Sequence, residues 1–108
     1  MFLVLCIYCQ MISSESVSPP AWTFLSNHGH VLLCIARDSN VRVREIAQSV
    51  GITERAVQRI LSELEEAEVI SRSRQGRRTH YEINERVPLR HPIEAEHSVG
   101  ELVRLVGS

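Results

Sequence analysis

The sequence is poor in several residue types, and each shortage excludes a class of protein. Lysine is absent: all 12 basic residues are arginine, against 13 acidic residues, so the formal net charge is −1. A strongly basic surface over the whole chain is therefore excluded, and any binding of nucleic acid must depend on where the arginines lie. Aromatic residues make up only 5% of the chain, so we expect a core of aliphatic side chains.

Long apolar segments and cysteines are also scarce. No segment reaches the apolar length of a membrane-spanning helix, and 108 residues provide for one small domain. Three cysteines, Cys6, Cys9 and Cys34, do not make a disulfide framework. Cys34 lies in an apolar helical run and is predicted to be a buried thiol. We therefore expect a reducing, cytoplasmic location and no contact with a membrane.

Residues 1–20 are predicted to lie outside the folded domain, as a disordered leader or a wrongly assigned extension. The apolar run MFLVLCIYC has no basic residue before it, which a secretory signal would require. Met11 is interpreted as the true start. Cys6 and Cys9 form a C-x-x-C pair, but no second pair completes a tetrahedral metal site. The Ser/Pro-rich SSESVSPP is typical of a flexible leader, so the domain should start near Ala21.

Three amphipathic helices are predicted next. The first follows Asn27, has apolar residues at helical spacing and stops at the polar residues 38–40. The second starts around Val43 and ends at Gly51, because glycine tolerates the left-handed conformation just past a helix. The third begins after Thr53, whose hydroxyl can accept a hydrogen bond from the first turn, and runs through ERAVQRILSELEEAE.

The third helix has two faces of different chemistry. Its apolar stripe contains Ala56, Val57, Ile60, Leu61 and Leu64. Its opposite face carries Glu54, Arg55, Gln58, Arg59 and Ser62. These side chains can donate or accept hydrogen bonds at a base edge or a phosphate. Two helices joined by a tight glycine-containing turn, the second opened by threonine, indicate a helix-turn-helix unit.

A β-hairpin is predicted after the third helix. Residues 79–83 alternate between inward and outward types, as in a strand, and Gln75-Gly76 marks a turn with Gly76 at the tip. The hairpin contains four arginines and no acidic residue between Ser71 and His80: Arg72, Arg74, Arg77 and Arg78. This local charge of +4, on a chain of net charge −1, favours an anionic partner.

Residues 22–83 resemble winged helix-turn-helix transcriptional regulators of the broad MarR/ArsR-like kind. The resemblance rests on the second helix REIAQSVG, the capped third helix ITERAVQRILSELEEAEVI and the hairpin SRSRQGRRTHYEI. It implies an α+β, mainly helical fold with a two-stranded β-hairpin wing and a C-terminal helix. It also implies a homodimer on pseudo-palindromic double-stranded DNA, with the third helix in the major groove and the wing on the backbone or minor groove.

The predicted DNA contacts follow from this placement. Arg55 and Gln58 are the best candidates for reading bases, because arginine pairs bidentately with guanine and glutamine with adenine. A surface ion pair with Glu54 or Glu63 is the alternative for Arg55. The wing arginines are better suited to phosphates. The whole predicted set is Arg42, Arg44, Thr53, Glu54, Arg55, Gln58, Arg59, Ser62, Arg72, Arg74, Arg77 and Arg78.

The C-terminal part of the chain is predicted to be a dimerisation element. Residues 86–108 contain a proline-bounded loop and a short amphipathic helix with one apolar face, formed by Val99, Leu102, Val103 and Val106. Such a helix needs a partner, either the first helix of its own chain or the same helix of a second subunit. The resemblance favours the second subunit. The predicted division is therefore a leader at 1–20, a DNA-binding domain at 21–85 and a dimerisation element at 86–108.

Two other functions remain open. A winged-helix module that binds another protein and never touches DNA fits the near-neutral charge, since fold does not fix function. A repressor that senses an effector or a metal is a further alternative, raised by five histidines, but surface or capping roles are preferred for them. No catalytic motif is present, so we expect neither an enzyme nor a cofactor.

Overall fold

The computed structural model describes residues 20–106. The predictions for the start site, the C-x-x-C pair and the leader concern residues outside this range. The described part contains four helices and one two-stranded sheet, in the order α1 (Asn27–Arg37), α2 (Val43–Val50), α3 (Glu54–Glu66), β1 (Ile70–Gln75), β2 (Arg78–Ile83) and α4 (Val99–Val106). The mainly helical α+β architecture and the winged helix-turn-helix are confirmed.

Helix α1 provides one wall of the core. Ser26 caps it, with its hydroxyl oxygen 3.5 Å from the Gly29 amide nitrogen, and its inner face buries Val31, Leu32, Leu33 and Ile35. Cys34 packs against the core but is only half-buried, so the prediction of a buried thiol was too strong. The helical spacing places the Cys34 side chain at the edge of the face that Val31, Leu32, Leu33 and Ile35 bury.

The segment before α1 is exposed. Trp22 and Phe24 meet edge to face, with ring centroids 4.9 Å apart, and their exposed fractions are 67% and 92%. Within residues 20–106, the first helix begins at Asn27, six residues after the predicted domain start.

The helix-turn-helix forms as the sequence predicts. Gly51 ends α2 with φ of +88°, in the left-handed region that favours glycine. Thr53 then caps α3, because its hydroxyl accepts a hydrogen bond of 3.0 Å from the Ala56 amide. The apolar stripe of α3 lies in the core, with Ala56 half-buried and four residues buried: Val57, Ile60, Leu61 and Leu64.

Helix α3 ends at Glu66, two residues earlier than predicted, in a Schellman motif. The Glu68 amide donates to the Glu65 carbonyl at 3.0 Å and the Val69 amide to the Leu64 carbonyl at 2.9 Å. Glu68 itself has φ of +65°. Leu64 and Val69 are both buried, as the apolar contact of this motif requires. The left-handed Glu68 turns the chain directly into the wing.

The wing, residues 70–83, is an antiparallel hairpin in the register Ile70↔Ile83 to Gln75↔Arg78. Its two turn residues are Gly76 and Arg77, and Gly76 has φ of +67°, as the first position of a type II′ turn requires. The tip predicted at Gly76 is confirmed. Tyr81 anchors the base of the wing in the core, where burial raises the pKa of its hydroxyl above the usual range.

Helix α4 packs against α1 of its own chain, which was one of its two predicted partners. Ser98 and Glu101 form a capping box: the Glu101 amide donates to the Ser98 hydroxyl at 3.2 Å, and the Ser98 amide donates to the Glu101 carboxylate at 2.8 Å. Gly100 is buried against the backbone of Glu85, to whose carbonyl its amide donates at 3.0 Å.

The predicted apolar face of α4 is only partly covered. Val99 is buried, Leu102 and Val103 are half-buried, and Val106 at the helix end is exposed. Leu105 is 82% exposed. Across residues 20–106, no helix has both the length and the apolar character needed to cross a bilayer.

Candidate nucleic-acid interface

The outer face of α3 carries the predicted groove-facing residues together. Six of them are exposed on the side opposite the buried stripe: Thr53, Glu54, Arg55, Gln58, Arg59 and Ser62. The helix spacing explains the grouping, because residues three and four apart lie on one face. The Thr53 hydroxyl already accepts the capping hydrogen bond, so it has one lone pair left for a further donor.

Arg55 and Gln58 differ from Arg59 in their surroundings. Within residues 20–106, neither Arg55 nor Gln58 makes a side-chain hydrogen bond or ion pair, so both extend into solvent. Arg59 lies 3.6 Å from Glu63, one turn further along α3. The predicted alternative, an ion pair of Arg55 with Glu54 or Glu63, does not form, because adjacent helical residues point apart and Glu63 lies two turns further along α3.

Glu63 links α3 to α1. The His28 ring nitrogen Nε2 lies 2.6 Å from Glu63 Oε1. This hydrogen bond is the main cause that holds the pKa of Glu63 below its usual value, and the positive charge of Arg59 adds to it. The contact fixes the middle of α3 relative to α1, which keeps the outer face at a set angle to the core.

The four wing arginines do not form one cluster. In the register, Arg72 faces Tyr81 and Arg74 faces Thr79, so these two arginines share the inner face of the hairpin. Arg72 donates twice to Glu65 Oε1, from Nη2 at 2.7 Å and from Nε at 3.1 Å. Because α3 runs beside the base of the wing, this pairing turns Arg72 toward the helix and away from the tip.

Arg78 lies on the outer face of the wing and is oriented by the loop before α2. Its Nη2 donates to the Asn40 carbonyl at 2.8 Å. The Asn40 side-chain oxygen lies 3.1 Å from Nδ1 of His80, two residues further along the strand. The Tyr81 amide donates to the Ser39 carbonyl at 2.8 Å. The loop therefore pairs with β2 along its outer edge.

Arg42 and Arg44 lie at the start of α2, and both are exposed. Arg42 is the residue before the helix, and its amide donates to the Glu45 carboxylate at 3.0 Å. A cleft of about 320 Å³ separates this helix start from the wing. The structure thus brings Arg42 near Arg77 and Arg78, whereas Arg44, Arg72 and Arg74 lie outside the cleft lining.

Sequence reasoning missed three residues that shape this surface: His28, Asn40 and Glu65. Asn40 was assigned only to a polar turn, and its contacts to the wing span 38 and 40 positions, beyond any local pattern. The charge pattern only weakly indicated the ion pair of Glu65 with Arg72, because the two residues are seven positions apart and the end of α3 lies between them. Within the described residues, no group of three or more potential metal-ligating side chains lies together.

Comparison with known proteins finds one matching family model and distant similarity to solved structures. Residues 26–71 match a family model described as winged helix-turn-helix DNA-binding. Distant similarity is found to the zinc-responsive MarR family member ZitR of Lactococcus lactis, at 21% identity and a TM-score of 0.48, over 76% of this chain and 62% of that one. The complex of wild-type ZitR with DNA gives 19% identity and a TM-score of 0.49, over 76% and 61%.

The chain therefore spans less than two thirds of the length of these solved proteins. No curated protein is significantly similar to it in sequence. The matched residues begin at the cap of α1 and end in β1, and the observed wing completes the unit. Residues 26–71 thus match a model of winged helix-turn-helix DNA-binding domains, and the fold described above is a winged helix-turn-helix.

Proposed function

We propose that this protein is a sequence-specific double-stranded DNA-binding transcriptional regulator and not an enzyme. In this proposal α3 enters the major groove, where Arg55 and Gln58 read bases. The wing lies on the adjacent backbone or minor groove. The observation that carries the proposal is that α3 buries one face in the core and presents a fully exposed polar face beside an arginine-bearing wing.

The charge distribution supports this orientation. The acidic residues of α3 are concentrated in its C-terminal half, where Glu63 is hydrogen-bonded to His28 of α1 and Glu65 forms an ion pair with Arg72 of the wing. The N-terminal half carries both arginines of the exposed face, Arg55 and Arg59. The helix can therefore approach phosphates with its N-terminal end, where the helix dipole also favours negative charge.

The test is fluorescence anisotropy of the protein on a labelled duplex taken from the region upstream of its own gene, across a salt series. We expect binding that weakens steeply with salt, and an Arg77→Ala/Arg78→Ala variant that binds all duplexes more weakly with a flatter salt dependence. Arg90→Ala, an exposed arginine in the loop before α4, is the matched control and should bind like the parent.

Absence of binding at low salt would refute the proposal. The winged-helix module that binds another protein would then be the better description, and a pull-down would be the next experiment. If Arg90→Ala weakens binding as much as the double variant does, the effect is one of overall charge and the wing has no specific part.

The protein is further proposed to act as a homodimer through α4. Support comes from Leu105, which is 82% exposed on a helix that packs against α1 but also leaves Val106 exposed. Exposed aliphatic surface on a terminal helix is more stable when a second copy covers it. The domain would then consist of residues 21–85, with residues 86–108 as the dimerisation element.

Light scattering coupled to gel filtration tests the dimer. Leu105→Glu should convert a dimer to a monomer, because a charge would be buried in the interface. Ile93→Glu, at an apolar residue that is 85% exposed in the preceding loop, is the control and should remain dimeric. A monomeric parent protein, or a dimeric Leu105→Glu variant, would refute this assignment.

A further inference from the structure

The cleft between α2 and the wing, called here the loop–wing cleft, is lined by residues 40–43, 77–79 and 81. It contains three arginines, Arg42, Arg77 and Arg78, and among residues 20–106 no acidic side chain lines it. Its lining also includes the buried Tyr81 and the half-buried Val41. A concave site with several guanidinium groups and no carboxylate favours a compact anion.

The loop on one side of the cleft is fixed before any ligand arrives. Asp38 accepts two hydrogen bonds of 3.0 Å, from the Asn40 amide to its side chain and from the Val41 amide to its carbonyl. The next carbonyl, that of Ser39, accepts from the Tyr81 amide at 2.8 Å. The loop is therefore joined both to itself and to the wing, which limits its freedom to move.

Arg78 is held at the cleft by this loop. Its bond to the Asn40 carbonyl uses one of the five N–H donors of a guanidinium group, so four remain for an anion. The side chain is long and rotamer-rich, and fixing it in the free protein reduces the entropy that binding must remove. Asn40 thus acts as a positioning residue for Arg78.

The other two arginines approach from different elements. Arg42 comes from the start of α2, and Arg77 is the second residue of the wing turn. Within residues 20–106, the side chain of Arg77 has no hydrogen bond or ion pair, so its full charge is available. Glu45 is the nearest carboxylate at this helix start, and it already accepts the Arg42 amide.

We propose that the loop–wing cleft binds one backbone phosphate of DNA, shared by Arg42, Arg77 and Arg78. This inference rests on the proposed function and deepens it. In this proposal the arginines of the wing and of the start of α2 have different roles. Three of them share one phosphate, whereas Arg74 contacts the DNA backbone independently from the other face of the wing. Arg72 is paired with Glu65. The contact positions α3 and carries no sequence information.

Salt dependence distinguishes a shared phosphate from independent contacts. Each phosphate contact that is lost reduces the slope of log K against log salt by about 0.9 on duplex DNA. We therefore measure binding to a non-specific duplex for Arg42→Ala, Arg77→Ala, the corresponding double variant, Arg74→Ala, Arg74→Ala/Arg77→Ala and Arg90→Ala. Arg77 is preferred to Arg78 because its replacement removes no hydrogen bond of the folded protein.

A shared phosphate predicts that Arg42→Ala/Arg77→Ala loses no more than about 0.9 of slope in total. It also predicts that Arg74→Ala/Arg77→Ala loses little more than the value of about 0.9 for Arg74→Ala alone, because Arg42 and Arg78 still contact the shared phosphate. Loss of about 1.8 by either double variant would overturn the proposal, as would Arg42→Ala/Arg77→Ala binding with the same affinity as the Arg90→Ala control. If the parent protein does not bind the duplex at low salt, the proposed function is refuted, and the shared-phosphate proposal is refuted with it.

A free phosphorylated ligand is the other possible source of the same chemistry. Inorganic phosphate, exchanged for chloride at constant ionic strength, is the probe. We expect it to leave duplex binding by the parent protein unchanged, because a single ion lacks the surrounding groove contacts. Displacement of the duplex from the parent protein but not from Arg77→Ala would assign the cleft to a free anion and overturn its assignment to DNA.

Discussion

Glu68 is the one residue other than glycine between 20 and 106 with a positive φ, and its replacement by glycine should stabilise the protein. It occupies the position after the α3 cap, where a Schellman motif requires the left-handed conformation. An L-residue with a side chain pays about 1–2 kcal/mol for that conformation, and glycine does not. The side chain of Glu68 is exposed, so its removal costs little packing.

The gain is smaller than the strain, because glycine also loses more conformational entropy on folding. That term is about 0.5–1 kcal/mol, so Glu68→Gly should raise the free energy of unfolding by about 0.5–1 kcal/mol. Glu66→Gly is the matched control: it replaces the same residue type two positions earlier, at the last residue of the helix, where φ is not positive. There glycine should cost about 0.8–1 kcal/mol.

Urea denaturation followed by circular dichroism measures both variants. Both substitutions remove one negative charge from the C-terminal end of α3, so their difference isolates the backbone effect. The expected difference is about 1.3–2 kcal/mol, with Glu68→Gly the more stable. If Glu68→Gly is less stable than the parent protein, or if the two variants agree, α3 does not end in the left-handed turn described.

The remaining predictions concern other contacts. Thr53→Ala should lower the free energy of unfolding by about 1 kcal/mol in urea denaturation, because the α3 cap is lost, and Ser62→Ala on the same exposed face should cost far less. Gly100→Ala should be destabilising by about 1–3 kcal/mol, since a Cβ there would lie 2.7 Å from Glu85 Cβ; equal or greater stability would contradict the packing of α4. Because the pKa of Glu63 is lowered on folding from about 4.5, its stabilising effect should be present above that pH and be lost as the pH falls through the lowered value. Urea midpoints of Glu63→Gln should then vary less with acid pH than those of the parent. Arg55→Ala should reduce discrimination between specific and random duplexes by about 1–3 kcal/mol in competition binding, whereas uniform weakening on both would exclude base reading.

The helix-turn-helix could be predicted from sequence because its determinants are local. Gly51, Thr53 and the α3 stripe act within one or two turns of the residues they control, and the hairpin tip follows from a single glycine. The Ser98-x-x-Glu101 capping box is equally local, so the sequence pattern could have predicted the start of α4.

The arrangement of the candidate site was less predictable. The wing arginines looked like one cluster of charge, but strand pairing places Arg74 and Arg78 on opposite faces of the hairpin. Arg72 is withdrawn from the tip by Glu65, and Arg78 is directed by Asn40, a contact across 38 positions. Such pairings depend on how elements pack, and a single sequence does not encode them in any short pattern.

The end of α3 was also missed for a physical reason. Glutamate is a good helix former, so propensity alone extends the helix through Glu68. Burial of Leu64 against Val69 overrides this preference, because the chain must turn to place Val69 and Ile70 in the core. Tertiary packing thus stops a helix that its own sequence would continue.

The attachment of the wing has a mechanical consequence. A two-stranded hairpin alone is barely stable in water, so this one persists because its base is held by Tyr81 in the core and by the Ser39 carbonyl on its edge. Among residues 20–106, the attachment closest to the tip at Gly76 is the hydrogen bond from Arg78 to the Asn40 carbonyl, and Gly76 itself is held through the strands. The wing is therefore attached mainly at its base, and the amplitude of its motion increases toward the turn. The rate of amide hydrogen exchange should increase stepwise from Tyr81 at the base of the wing to Gln75 beside the turn. A surface bound to the tip would reduce the motion of the whole wing without displacing its base.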